Sequence, residues 1–191
     1  MSFFRWIKSI FSPVKEEPVK QKKISKTQRK VEAAKKREET VEKKDTFMGK
    51  LRKELERDEG VKYEIYLDHL GLETFGIGHL IKEHDPEWGM KVGTKVSKQR
   101  VQASFEEDVS ISIKDAETLF DDFWNLPEDV RLITVNMSFN LGRRRLSRFK
   151  NFRAAVNEGN WKTAAAEMKD SRWYNQVTNR AERLRQRMLN V

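Results

Sequence analysis

The sequence predicts an α+β protein: a small antiparallel sheet lobe, then a mainly helical lobe, preceded by a basic N-terminal arm. Three observations carry this. Residues 61–80 mix β-branched and aromatic residues with Gly71, Gly76 and Gly78, the pattern of short strands cut by turns. From Ser97 onward, apolar residues recur at helical spacing. The charge is also uneven. The 191-residue chain carries a net +9, yet residues 1–47 hold 14 Lys/Arg against 7 Asp/Glu, leaving 25 against 23 in the rest.

The arm has two parts. In residues 1–12, Phe3, Trp6, Ile7 and Ile10 fall at i, i+3, i+4 and i+7, which predicts a short amphipathic helix ending near Pro13. It is too short to span a bilayer, and it lacks the long apolar core and cleavage site of a secretory signal. Its chemistry suits a membrane surface or a groove on a partner protein. Residues 13–46 are rich in Lys and Glu and hold almost no large apolar side chains. They read as a basic, solvated tether with some helical propensity. No stacking platform or groove-reading motif accompanies the lysines, so no nucleic-acid partner is expected.

The body is residues 47–191. Phe47, Leu51 and Leu55 at i, i+4 and i+8 predict a short helix closed by Gly60. Glu59 then sits at its C-terminal end, where the macrodipole disfavours an added negative charge, a setting that suits a proton donor. Tight turns are expected near 68–71 and 76–78, so that Asp68 opens the first turn and Thr74 lies on the returning strand. Ser97 caps a long helix bearing Val101, Phe105, Val109, Leu119 and Phe123. Pro127 opens a further helix ended by Gly142, and three shorter ones follow over 149–159, 160–175 and 179–191.

Composition narrows the chemistry. Hydrophobic residues make up 37% and charged residues 36%, so part of the chain builds no core. There is no cysteine, hence no disulfide and no thiol nucleophile, and synthesis in a reducing compartment fits. Three histidines, His69, His79 and His84, without cysteine argue against structural zinc, and no metal or cofactor is expected. Gly76 and Gly78 match only part of a phosphate-binding fingerprint. What remains is a pair of carboxyls, Glu59 and Asp68, in different surroundings. Glycoside hydrolysis is the reaction class that needs such a pair, one acid and one base or nucleophile. Carboxylates near turns are more often solvated surface groups, and the pair alone leaves that alternative open.

Three motifs together resemble one family. Glu59-Gly60, then Asp68, Thr74 and Gly76-Ile77-Gly78-His79, look like the active-site segment of the phage-type lysozymes, glycoside hydrolase family 24. "NMSFNLG" at 136–142 resembles the family's central-helix motif. "SRWYNQVTNRAERLRQRM" at 171–188 resembles its C-terminal signature. The three blocks keep their order and cover roughly residues 48–191.

The resemblance implies a lysozyme-like fold and an inverting muramidase acting on the β-1,4 bond between N-acetylmuramic acid and N-acetylglucosamine. Glu59 would be the general acid, Asp68 the carboxylate orienting the attacking water, and Thr74 that water's second holder. Arg180 would pair with Glu59, and Asn136 would join the polar network behind it. Asn140, Arg172 and Gln176 would line the glycan cleft. Phe139, Trp173 and Tyr174 are expected in the core or cleft wall, His79 as a structural polar contact, and His69 and His84 on the surface. The expected partners are the bacterial peptidoglycan glycan strand and, through residues 1–12, a virion protein or membrane surface. Synthesis in the host cytoplasm and action at the cell wall or periplasm follow, with carriage in the virion as one variant. Two competing readings are a structural virion component that keeps the fold, and a lytic transglycosylase, against which the Asp68/Thr74 pair argues. The chain departs from the family pattern in a shorter segment before the central helix, in Asn140 where a Gln is familiar, and in the arm, which has no counterpart.

Overall fold

A computed structural model describes residues 26–68 and 70–191. The helix expected in residues 1–12, the first part of the tether and His69 lie outside them. The chain divides into residues 1–42 and 43–191. Helix α1 runs unbroken from Lys26 to Glu59, so the later part of the expected tether is helical and the helix of the body starts well before Phe47. Propensity accounts for this: residues 26–46 are dominated by Lys, Glu, Gln, Arg and Ala, which lose little side-chain freedom in a helix. Phe47, Leu51 and Leu55 of this helix are fully buried. No described helix is long and apolar enough to cross a membrane.

Gly60 (φ 74°) ends α1, and its N–H returns to the Glu56 carbonyl at 3.0 Å, a left-handed helix cap. Strands β1 (Lys62–Leu67), β2 (Glu73–Gly76) and β3 (His79–Leu80) form an antiparallel sheet in that order. Tyr66 faces Thr74 across β1 and β2, and Phe75 faces His79 across β2 and β3. Both turns fall where glycine and aspartate placed them. At Gly76 the requirement for glycine is double: φ is 65°, and an added Cβ would stand 3.1 Å from Val101 Cγ1.

Helix α2 (Lys98–Leu119) starts on Ser97, whose hydroxyl accepts the Arg100 N–H. It stops at Leu119, so Phe123 belongs to a separate 3-10 turn, Phe123–Asn125, and not to the long helix. Asp122 between them is left-handed (φ 46°), a conformation Asp tolerates better than most residues. Helix α3 (Glu128–Leu146) is broken at Gly142, whose φ 69° and ψ 159° only glycine adopts readily. Then come α4 (Lys150–Asn157), α5 (Trp161–Lys169), α6 (Arg172–Gln176) and α7 (Thr178–Leu189). The segment expected as one helix over 160–175 is two, because Ser171 caps a new start.

Two apolar clusters result. Ile65, Phe75, Ile81, Val96 and Val101 pack the sheet lobe. The larger cluster joins α1, α2 and the later helices around Leu51, Phe105, Ile133, Met137 and Leu184. Helix α2 contributes to both, Val101 to one and Phe105 and Val109 to the other, so it joins the lobes as a single rigid element.

Candidate active site

The end of α1 places two consecutive carboxylates. Glu59 side-chain exposure is 23%, and its Oε1 accepts a 2.5 Å hydrogen bond from Arg180 Nη1 of α7. The Asp58 side chain is only 2% exposed. Arg183 Nη2 donates to Asp58 at 2.5 and 2.7 Å, and Asn136 Nδ2 donates at 2.9 Å. Asn136 on α3 completes the ring: its Oδ1 accepts from Arg180 Nε at 2.8 Å and its carbonyl from Arg180 Nη2 at 3.1 Å. A buried guanidinium needs a counter-charge and a partner for most of its N–H groups. Arg180 has both, since Asp58 Oδ2 also lies 3.4 Å from its Nε. The guanidinium is thereby fixed as a rigid support for Glu59.

Asp68 terminates β1. Its Oδ1 accepts from the Leu70 and Leu72 backbone N–H groups at 2.8 and 2.9 Å, which holds the turn and the carboxylate together. Thr74 is buried on β2, and its hydroxyl donates to the Leu72 carbonyl at 3.1 Å, leaving the oxygen to act as acceptor. Gly78 lies against Glu59: a Cβ there would stand 3.6 Å from Glu59 Oε2.

Glu59, Asp68, Thr74 and Asn140 line one cleft of about 550 Å³, with Lys62, Tyr66, Phe139 and Arg145. Burial, together with the Glu59 and Asp68 carboxylates, pushes the Tyr66 phenol above its ordinary pKa, so it remains a neutral group within reach of both charges. Lys62 stands over its ring at 4.0 Å. The lip is apolar: Leu67, Leu70, Leu72 and Leu80 are all exposed. Asn140 Oδ1 is held by Trp173 Nε1 at 2.8 Å.

Four of the eight residues singled out from the sequence thus share the cleft, and Asn136 and Arg180 stand behind it. Arg172 and Gln176 do not join them. They line a second cavity of about 590 Å³ on the helical lobe, which meets the cleft only at Arg145. Trp173 is core, Phe139 is cleft wall and Tyr174 donates to Glu182 at 2.7 Å. His84 is exposed. His79 is buried under the sheet, bound to Asp108 at 2.7 Å and Asp85 at 3.3 Å.

Sequence reasoning missed Asp58 and Arg183. A signal existed: Arg180 and Arg183 are i and i+3 on one helix, so both reach the same neighbour, and the Asp58-Glu59 pair ends the helix they reach. Among the described residues, no three His, Cys, Asp or Glu side chains are grouped as metal ligands would be.

Comparison with known proteins agrees with the geometry. The phage lysozyme family profile matches residues 56–189. A probable T4-type lysozyme of Dictyostelium discoideum is 31% identical over 157 residues, covering 72% of this chain and 92% of its own length. A second from the same organism is 35% identical over 149 residues, covering 68% and 88%. The pre-baseplate central spike protein Gp5 of Enterobacteria phage T4 is 29% identical over 148 residues, covering 68% of this chain and 26% of that protein. The chain belongs to the phage lysozyme family and is a glycoside hydrolase of the lysozyme type.

Proposed function

We propose that the chain hydrolyses the β-1,4 bond between N-acetylmuramic acid and N-acetylglucosamine in bacterial peptidoglycan, with inversion at the anomeric carbon. The observation that carries this is the fixed Glu59. One oxygen is taken by Arg180, and the other lies beside Gly78, in the cleft that also holds Asp68 and Thr74. In this reading Glu59 Oε2 carries the proton and delivers it to the glycosidic oxygen as the bond to the anomeric carbon breaks. A water attacks that carbon from the other face and passes its proton to Asp68, while the Thr74 oxygen accepts the water's second hydrogen. Arg180 is a positioning residue, and Asn140, Lys62 and the leucine lip contact the glycan.

Product analysis on purified peptidoglycan tests the reading. Reducing ends that appear first as the α-anomer support inversion. Anhydro-sugar products, or a fully active Glu59→Gln variant, would overturn it.

The similarity to a protein named as a baseplate spike supports a second part of the reading, that the enzyme is carried in the virion and acts at the bacterial envelope. In that case residues 1–12 dock on a virion protein and residues 13–46 link them to the body. Mass spectrometry of purified particles decides this: absence of the chain from them leaves a role in release from the host.

A further inference from the structure

The second cavity lies outside the catalytic cleft and has an unusual charge state. Arg145, at the end of α3, Arg148, Lys150 at the start of α4, and Arg172 at the start of α6 all line it and are all exposed. Among the described residues none of the four has a side-chain hydrogen bond or ion pair. The arginines of α7 differ: Arg180, Arg183, Arg185 and Arg187 each meet a carboxylate within 2.7 Å. Glu167 and Asp170 also line the cavity, so the cations exceed the anions there by two, and neither carboxylate pairs with a lining cation.

Local structure does not account for this crowding. Arg143, Arg144 and Arg145 complement the negative end of α3. Lys150 does the reverse, because a cation in the first turn of α4 opposes that helix's dipole. Like charges gathered around one cavity repel, and no partner among the described residues relieves them. An external anion would.

We propose that this cavity is a binding site for phosphate groups of an envelope polyanion, separate from the hydrolytic site and meeting it at Arg145. Phosphate fits the arrangement better than carboxylate. A carboxylate has two coplanar oxygens and is satisfied by one guanidinium fork. A tetrahedral phosphate offers oxygens in several directions and can meet three or four separated cations at once. Phe149 and Trp173 supply an apolar side to the cavity, which strengthens each charge contact relative to open solvent. The effect is to hold the enzyme near its wall substrate by a contact that salt weakens.

The test uses the full chain, isotopically labelled, and the double variant Arg148→Gln/Lys150→Gln, which leaves the catalytic cleft untouched. Inorganic phosphate is the probe and citrate the carboxylate control. Saturable shifts of the 148–152 and 171–173 amides with phosphate, weakened about tenfold in the variant, are expected. Shifts confined to the arm, or equal shifts with citrate, overturn the proposal. Vesicles containing phosphatidylglycerol and soluble poly(glycerol phosphate) then separate the sources. Weaker binding of the variant to vesicles assigns a lipid headgroup, and weaker binding to the polymer assigns a wall polymer. Equal binding of both proteins to both probes overturns the proposal as well.

Discussion

This molecule holds two buried polar networks, and they differ in how they end. Beneath the sheet, His79 is held between Asp108 and Asp85, and Arg100 ties Asp85 to Glu87 at 2.9 Å each. At the end of α1, Asp58, Asn136, Arg183 and Arg180 form a comparable cluster. The first is taken up by structure: its side chains pair with one another and with the Lys82 N–H, and it ties the turn after β3 to α2. The second is left open by one group. Glu59 is gripped by the network on one oxygen and faces the cleft with the other. The comparison teaches that a buried charge cluster becomes a site when one member is held by the rest and still reaches a cavity. Burial and pairing alone mark structure as readily as function.

Four variants separate the two networks, the most damaging first. Glu59→Gln keeps the shape of the open network and removes the proton donor. Activity on peptidoglycan should fall by about 10²–10⁴-fold, while denaturant unfolding changes little. An equal loss of stability would mean that Glu59 is structural. Asp58→Ala leaves Arg183 without its carboxylate and Arg180 with Glu59 alone. Stability should drop by about 3–5 kcal/mol in urea unfolding, with activity falling because Glu59 loses its fixed support. Unchanged stability would show that water fills the gap and that Asp58 does not set the guanidinium.

Asp108→Asn probes the His79 network, and pH sharpens the reading. Burial pushes the His79 pKa down, but Asp108 and Asp85 push it up further, and the net direction is upward. A raised folded-state value means that the stabilisation is complete below the unfolded value of about 6.5 and is lost as pH rises through the folded value. Burial raises the Asp85 pKa, but the Lys82 N–H, His79 and Arg100 lower it more, so its share is present above about pH 4 and lost as pH falls through the depressed folded value. The variant should therefore lose about 1–3 kcal/mol near pH 5 and progressively less on the alkaline side, with catalysis per folded molecule unchanged. A pH-independent loss would exclude protonated His79 as the source.

Gly76→Ala lies between the networks. Its φ of 65° and the 3.1 Å approach to Val101 predict a cost of about 1–2 kcal/mol in thermal or urea unfolding. A neutral result would show that Val101 can yield where α2 meets the sheet.

Much of this was legible because it is local. Gly60 after a helix, Asp68 before a tight turn, Ser97 before an apolar repeat and Gly142 at a break each act through their own backbone, and sequence displays them directly. In α1, residues 26–46 carry no apolar face to flag a helix in the sequence, only a composition with helical propensity. The split at Ser171 was missed, since alanine-rich and aromatic stretches there run together without a proline or glycine.

The turns and most helix starts are written in local sequence, while Glu59, Asp68 and Thr74 stand out as a set only through the resemblance of three ordered motifs to one family. Behind them, Arg180 and Asn136 were expected from the resemblance, but Asp58 and Arg183 emerge only from the packing of the helices. Asp58, Asn136, Arg180 and Arg183 are separated by 44 to 125 residues in the contacts that join them. No local pattern encodes a meeting of that length. It follows from how α1, α3 and α7 pack around one core, and the same packing moved Arg172 and Gln176 out of the cleft and into a cavity of their own.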